Sequence, residues 1–341
     1  MTQGARLSLF FATLAACLSG ACGGLEATPV EDDDAGAGPS DPVQEVGLEV
    51  PQTEPPLPPC TDGVPAPADR APGPRFIRAW WGPDPVVAMA ADSSDLFVGA
   101  GALYALAKRG GDEVRQLSPA PVDKIVVDGD ALYVVTAGDP VRRMAKTGDA
   151  ELALGPPAFD FAVNDAYLVT TNVLTGVVAR TSKQEPRATV VLAQGTEPQG
   201  IAIRDGWAYW ANYASKNVAR VRLDGGQSET FEPFADYTRR IAVDCNYVYV
   251  SVGHYGGSVW RKPLAGGPAK LFVRVGGTLV LDAQSLYVED AHGTWRVSLA
   301  TGKVTSMLEG HGNPAGFLHS LVVDDQGVYW HLGGMVVRAE K

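Results

Sequence analysis

The chain has few of the residues and motifs from which catalytic sites are often built. Only 4 cysteines and 5 histidines occur among its 341 residues. It has no glycine-rich phosphate loop ending in lysine and no Gly-x-Ser-x-Gly motif, which argues against a P-loop nucleotide hydrolase and an elbow-type serine hydrolase. No segment of residues 75–341 keeps a helical period, so a mainly helical fold is excluded.

The chain also lacks a basic stripe. It carries a formal charge of −11; Arg6 contributes +1 and residues 23–74 contribute −10, so residues 75–341 carry only −2. Nucleic-acid binding depends on clustered positive charge that neutralises phosphates. We therefore expect no nucleic-acid partner.

The apolar run near the N-terminus, Leu7–Leu14, is too short to span a bilayer and is typical of the core of an export signal. The sequence Leu14-Ala15-Ala16-Cys17 resembles a bacterial lipobox. The resemblance implies a signal peptide at residues 1–16, acylation (palmitate among the acyl chains) of Cys17 and anchoring to the membrane. Cys22 is an alternative lipidation site, and an ordinary secretory signal is the other interpretation. Leu18 after the cysteine implies the outer membrane if the host has two membranes.

Residues 17–74 are predicted to be an acidic, proline-rich, disordered tether. They have few aliphatic side chains and no aromatic ones, so they cannot bury enough surface to offset chain entropy. Cys60 lies near the end of this segment, and Cys245 lies in a predicted turn of the repeats. A disulfide between them is one interpretation in an oxidising compartment, and two unpaired thiols are the other.

A short pattern with strand-like alternation occurs seven times in residues 75–341. Its central positions are separated by 35 to 42 residues, and they are Phe97, Tyr133, Leu168, Tyr209, Tyr249, Tyr287 and Tyr329. This spacing fits a four-stranded blade, with strands a to d, and indicates an all-β, seven-bladed β-propeller.

The seventh copy ends at strand c, whereas Arg75–Trp81 precedes the first strand a and has no blade of its own. If Arg75–Trp81 pairs with Val336–Glu340, it supplies the missing strand d and covers an open sheet edge. We therefore predict a ring closed by the N-terminal strand.

The segments Ala208–Ala211 (AYWA) and Val328–His331 (VYWH), each followed by an arginine-bearing strand, resemble the YWTD, NHL and TolB-like propellers. Pro198–Ile201 (PQGI) is similar to repeats of virginiamycin B lyase, a seven-bladed metal-dependent enzyme. No position matches that family's catalytic histidine and glutamate set. The resemblance implies the fold, and it leaves receptor, scaffold, binding and enzymatic roles open.

Candidate binding residues fall in the d–a and b–c connections, which share one face of a propeller (the top face). They are His254, His292, His319, His331, Glu289, Asn212, Arg239 and Arg240, with His311 and Tyr213 in the same class of loop. Arg239, Arg240, Lys124 and Asp160 begin strands a and are predicted to ring the channel mouth. Three interpretations remain open: a metal or catalytic site, a recognition surface, and a merely solvated set of loops.

Aspartates recur where strand a ends, at Asp128, Asp244, Asp282 and Asp324. We expect their carboxylates to accept backbone N–H bonds in the a–b turn.

The sequence as a whole predicts an exported, lipid-anchored propeller that acts as a non-catalytic binding or scaffolding module at the cell envelope. No cofactor or metal is predicted, and the ligand is an unknown protein, peptide or glycan. The alternative is a metal-dependent lyase or hydrolase with its site on the top face of blades 5–7.

Overall fold

The computed structural model describes residues 47–52, 75–79, 84–108, 114–149, 151–253, 257–290, 292–309, 321–332 and 335–339. These residues form 28 strands in seven four-stranded antiparallel sheets. Within these ranges we find no helix with the length and hydrophobicity needed to cross a membrane. The predicted all-β fold is confirmed.

In chain order the strands are β1 (Arg75–Ala79), β2 (Ala88–Ala91), β3 (Asp95–Gly99), β4 (Leu103–Ala107), β5 (Val114–Ser118), β6 (Lys124–Asp128), β7 (Ala131–Val135), β8 (Pro140–Ala145), β9 (Leu152–Pro157), β10 (Asp160–Val163), β11 (Tyr167–Thr171), β12 (Val177–Ser182), β13 (Thr189–Gln194), β14 (Pro198–Arg204), β15 (Trp207–Asn212), β16 (Asn217–Arg222), β17 (Glu229–Pro233), β18 (Thr238–Val243), β19 (Tyr247–Val252), β20 (Ser258–Pro263), β21 (Lys270–Val273), β22 (Thr278–Leu281), β23 (Ser285–Glu289), β24 (Gly293–Ser298), β25 (Val304–Glu309), β26 (Val322–Val323), β27 (Val328–Leu332) and β28 (Met335–Ala339).

Blades 1 to 6 each use four consecutive strands, from β2–β5 to β22–β25. Blade 7 has the order β26, β27, β28 and β1. Arg75 pairs with Arg338 and Ala79 pairs with Met335, so the first strand of the chain completes the last blade. The seven blades and the predicted closure are confirmed. The remainder of the predicted pairing, residues 80–81 and 340, lies outside the described residues.

The second strand of each blade is buried on both faces because the neighbouring blades pack against it. Every residue of β7 and of β23 is buried, which explains why these strands contain continuous apolar runs. The seven positions predicted as anchors are at most 3% exposed, and they are Phe97, Tyr133, Leu168, Tyr209, Tyr249, Tyr287 and Tyr329. Full burial of such a side chain contributes about 1.5–3 kcal/mol. The core is therefore a set of layers between blades.

The recurring aspartates shape the a–b turns as predicted in three of four blades. Oδ1 of Asp244 accepts from the amides of the residues two and three further on, and so does Oδ1 of Asp282 and Asp324. The expectation for Asp128 is wrong. Its blade makes a two-residue turn, in which Asp128 pairs with Ala131, and its carboxylate accepts from Lys183 instead.

In each of the first three blades, a lysine that follows strand c pairs with an aspartate of the preceding blade. Lys108 donates to Asp324 of blade 7, and Lys183 donates to Asp128 of blade 2. Lys146 lies 2.6 Å from Oδ2 of Asp92 in blade 1. Burial raises the pKa of Asp92, but the hydrogen bonds from Lys146 and from backbone amides outweigh it and hold that pKa well below its usual value. These pairs bridge blades as well as shaping turns.

Residues 47–52, which the sequence placed in the tether, lie against the outer edge of blade 5. Glu49 forms an antiparallel bridge with Val273, and the Leu48 carbonyl accepts from the Arg274 amide at 2.9 Å. Gln52 accepts from Arg261 at 2.8 Å. The side chain of Leu48 packs on the core cluster shared by blades 5 and 6. This segment therefore covers part of the edge of β21.

Candidate functional site

The connections between blades divide the propeller into two faces. Strands a and c run in one direction and strands b and d in the other, so the d–a and b–c connections share the top face. Successive first strands, such as β14 and β18, contact one another and therefore line the central channel. Residues at the start of a first strand consequently lie where the channel opens on the top face.

Two of the five histidines fall within the described residues. His292 is exposed in the b–c loop of blade 6, where Nδ1 lies 3.4 Å from Oδ2 of Asp290. His331 lies near the end of β27, next to the b–c loop of blade 7. Its Nδ1 atom is buried and has no hydrogen-bond partner in the described part of the chain. Burial lowers the pKa of His331, so its imidazole is neutral at pH 7. His254, His311 and His319 lie outside the described residues.

Glu289 and Asn212 are buried at the ends of their strands, at 3% and 6% exposure. Oδ1 of Asn212 accepts from Nε1 of Trp210 at 2.9 Å and from the Thr196 amide at 3.0 Å. Nδ2 of Asn212 donates to Oδ1 of Asn217 at 2.8 Å. Asn212 therefore links the b–c loop of blade 4 to the connection that enters this blade.

Three of the four residues predicted at the channel mouth come together, namely Lys124, Asp160 and Arg240. Asp160, in blade 3, accepts from Nζ of Lys124 in blade 2, and Nζ also donates to the Phe161 carbonyl at 2.6 Å. Nη1 of Arg240, in blade 5, lies 3.8 Å from Oδ2 of Asp160. Burial lowers the pKa of Arg240, and the Asp160 charge opposes that shift. One buried carboxylate thus joins three blades.

A β-bulge separates the two arginines that begin strand a of blade 5. The pairing with β19 shifts register between Thr238 and Arg240, which leaves Arg239 outside the regular ladder. Arg240 faces Asp160, whereas the Arg239 guanidinium lies 5.3 Å from the centre of the Tyr213 ring. Adjacent residues therefore serve two neighbouring parts of the top face.

A stacked aromatic pair stands beside the channel mouth, between the loops of blades 4 and 5. The rings of Tyr213 and Tyr237 have centroids 4.4 Å apart and an interplanar angle of 10°. Nζ of Lys216 lies 4.9 Å from the centroid of Tyr237, so each ring carries one cation. We call Tyr213, Lys216, Tyr237 and Arg239 the aromatic–cation patch. All four side chains are partly exposed.

Sequence reasoning found Arg239 and Tyr213 as top-face residues but missed Lys216 and Tyr237. The signal that could have found Lys216 is its position: it precedes strand c, where the preceding blade has Gly176. Among the described residues, no group of three or more His, Cys, Asp or Glu side chains is arranged to hold a metal ion.

No protein-family model and no curated protein matches the chain. Among solved structures it is similar to streptogramin B lyase, with a TM-score of 0.64 and 11% identity over 78% of this chain and 97% of that one. It is also similar to the WD40 propeller domain of Doa1, with a TM-score of 0.61 and 12% identity over 79% of this chain and 97% of that one. The computationally designed protein Ika8 has a TM-score of 0.56 and 12% identity over 78% of this chain and 99% of its own. These likenesses establish the propeller fold that the repeats predicted.

Proposed function

We propose that the protein is an exported lipoprotein whose propeller is a non-catalytic binding module at the cell envelope. Cys17 is the lipidated residue in this proposal, with Cys22 as the alternative, and the top face binds a protein, peptide or glycan. The location is the outer membrane if the host has two membranes. The lipobox resemblance supports the anchor, and the fold supports the binding role.

The observation that carries the binding role is the aromatic–cation patch beside the channel mouth. Tyrosine and arginine are the side chains most enriched at the energetic centres of binding surfaces. Here they are partly exposed, and the Arg240–Asp160–Lys124 cluster fixes the strand from which Arg239 projects. Such a preorganised surface costs little entropy when it binds a ligand.

Retention of envelope components by the full chain tests the binding role. Wild-type protein is immobilised and exposed to separated glycan, peptide and protein fractions of the envelope. We expect the double variant Tyr213→Ala/Tyr237→Ala to retain at least 10-fold less of one fraction. Truncating two aromatic side chains at the centre of a binding surface should cost more than about 1.4 kcal/mol of binding free energy, which corresponds to tenfold in affinity. The control is Asp224→Ala, in the opposite c–d turn of blade 4, which should bind like the wild type. Equal retention by all three proteins would refute a top-face binding role.

Metabolic labelling with an alkyne fatty acid tests the anchor. Cys17→Ala should abolish the label and release the protein from membranes, whereas Cys22→Ala should leave both unchanged. Loss of label only in Cys22→Ala would move the anchor to that cysteine, and full labelling of both variants would contradict lipidation at these sites.

We also propose the disulfide between Cys60 and Cys245. Cys245 is the only cysteine within the described residues, and it lies in the a–b turn of blade 5. Gln52 is held at blade 5, and Cys60 follows it by eight residues, which reach about 26 Å when extended. Peptide mapping without reduction should recover the two cysteines in one linked fragment.

A metal-dependent lyase or hydrolase on the top face of blades 5–7 is the second candidate. The likeness to streptogramin B lyase favours it. Its candidate ligands are His254, His292, His319 and His331 together with Glu289. Elemental analysis of the purified full chain decides: stoichiometric metal that is lost in His292→Ala supports this candidate, and metal retained at the same level argues against this ligand set.

A further inference from the structure

The b–c loops of blades 3 and 4 have the same length and a positive φ at the same position, but the residue at that position differs. Gly176 precedes Val177, whose carbonyl accepts from the Asn172 amide; Lys216 precedes Asn217, which pairs with Asn212. Both Gly176 and Lys216 have positive φ, at 75° and 53°. Glycine adopts this conformation without steric cost, but lysine does not. Blade 4 therefore carries a strained residue where glycine suffices in blade 3.

The Lys216 side chain contributes to the surface rather than to the core. Nζ lies over the Tyr237 ring and donates to the Ala235 carbonyl at 3.4 Å. Glu197, the residue whose carbonyl accepts from the Tyr213 amide, is also a non-glycine residue with positive φ, at 52°. Strained residues cluster at binding sites, where the side chain is needed despite the strain. Two of them adjoin the same patch here.

Hydroxyl and amide groups border this patch. The hydroxyls of Thr196 and Ser215 are hydrogen-bonded to each other, and Nδ2 of Asn217 donates to Oγ of Ser215 at 3.0 Å. Thr196 and Ser215 are exposed; Ser215 lies in the b–c loop with Tyr213 and Lys216, whereas Thr196 lies in the connection that enters blade 4. The surface therefore combines aromatic rings, two cations and neutral hydrogen-bonding groups, with the exposed carboxylates of Glu197 and Asp236 at its edge.

We propose that the aromatic–cation patch with Thr196 and Ser215 binds an acidic oligosaccharide. Carboxylates of such a ligand pair with Lys216 and Arg239, and its many hydroxyls match the hydroxyl and amide border. Tyrosine supplies both apolar area for the C–H faces of sugar rings and a phenol that hydrogen-bonds. An acidic peptide would use the cations but would leave the hydroxyl border largely unused. This inference rests on the top-face binding role proposed above.

Calorimetric titration of the full chain with oligogalacturonate, neutral dextran oligomers and poly-glutamate tests the proposal. We expect binding of oligogalacturonate alone, weakened at high salt because the attraction between partly exposed charges is screened. The variant Lys216→Gly should bind at least 10-fold more weakly while its Tm is unchanged or higher, because glycine relieves the strain. A merely structural lysine would not lower affinity while Tm is kept.

Leu174→Lys, which places an exposed lysine in the matching loop of blade 3, is the control; it should leave both Tm and oligogalacturonate affinity unchanged. Unchanged affinity in Lys216→Gly would overturn the proposal, and so would poly-glutamate binding as tight as oligogalacturonate, which would indicate a site for acidic peptides. If no oligosaccharide binds but the tyrosine double variant still loses an envelope fraction, the ligand class is wrong and the binding role stands.

Discussion

A chain shortened to begin at residue 80 is expected to lose its ring closure and to associate with itself. Removing β1 leaves the backbone N–H and C=O groups of β28 unpaired along one edge. An open edge next to the buried Val336 and Val337 is a template for pairing with another copy. We expect the variant to lose most of its net stability, which for a domain is about 5–15 kcal/mol. Thermal unfolding and light scattering measure both effects.

Two longer chains serve as controls for this truncation. A chain beginning at residue 47 keeps both β1 and the docked segment and should match the full chain. A chain beginning at residue 75 loses the contacts of Leu48 and Gln52 and the proposed Cys60–Cys245 bond but keeps β1. It should lose about 1–3 kcal/mol from the contacts and about 2–4 kcal/mol from the bond, and stay monomeric. A monomeric chain from residue 80 with the Tm of the chain from residue 75 would show that β1 is dispensable.

The fold could be predicted because its determinants are local and repeated. Period-two alternation or a short apolar run indicates each strand, and the spacing of anchors such as Tyr133 and Tyr287 defines the blade. The closure of the ring by the N-terminal strand followed from counting strands, since one blade lacked its fourth strand and Arg75–Trp81 had no partner. Each of these steps depends on residues that are near one another in the sequence.

The docking of residues 47–52 could not be predicted from composition. An acidic, proline-rich segment does not bury surface on its own, but the edge of β21 offers backbone groups and a place for Leu48 between blades 5 and 6. That site exists only when the ring is formed. The position of Asp160 between Lys124 and Arg240 has the same origin, because the three residues belong to different blades.

The a–b turns show a finer limit of sequence reasoning. Asp128 and Asp244 occupy the same place in the repeat, yet only Asp244 accepts backbone amides in its own turn. The two turns have the same length, but in blade 2 Gly129 has a positive φ and Asp128 pairs with Ala131 in the ladder. The Asp128 carboxylate meets Lys183 from blade 3 instead. The residue type was informative, whereas its partner depended on the backbone conformation of the turn and on the neighbouring blade.

Gly200→Val should destabilise the propeller by about 3 kcal/mol and weaken top-face binding as well. A Cβ at Gly200 would lie 2.6 Å from the carbonyl oxygen of Arg239 and 3.1 Å from Cα of Arg240. Both contacts are with the backbone of β18, which cannot yield as a flexible side chain would. Strand a of blade 5 must then move away from strand a of blade 4, and Arg239 and Arg240 move with it.

The matched control for this prediction is Gly47→Val, because a Cβ at Gly47 would meet nothing within 4 Å. Denaturant unfolding should show a large loss of midpoint for Gly200→Val and almost none for Gly47→Val. Binding should be measured at a temperature where both variants remain folded. If Gly200→Val unfolds like the control, strands β14 and β18 can separate freely, and the close packing at the channel mouth does not position the arginines. If it is destabilised but binds normally, the patch tolerates movement of Arg239, and Tyr213 with Lys216 must provide the recognition.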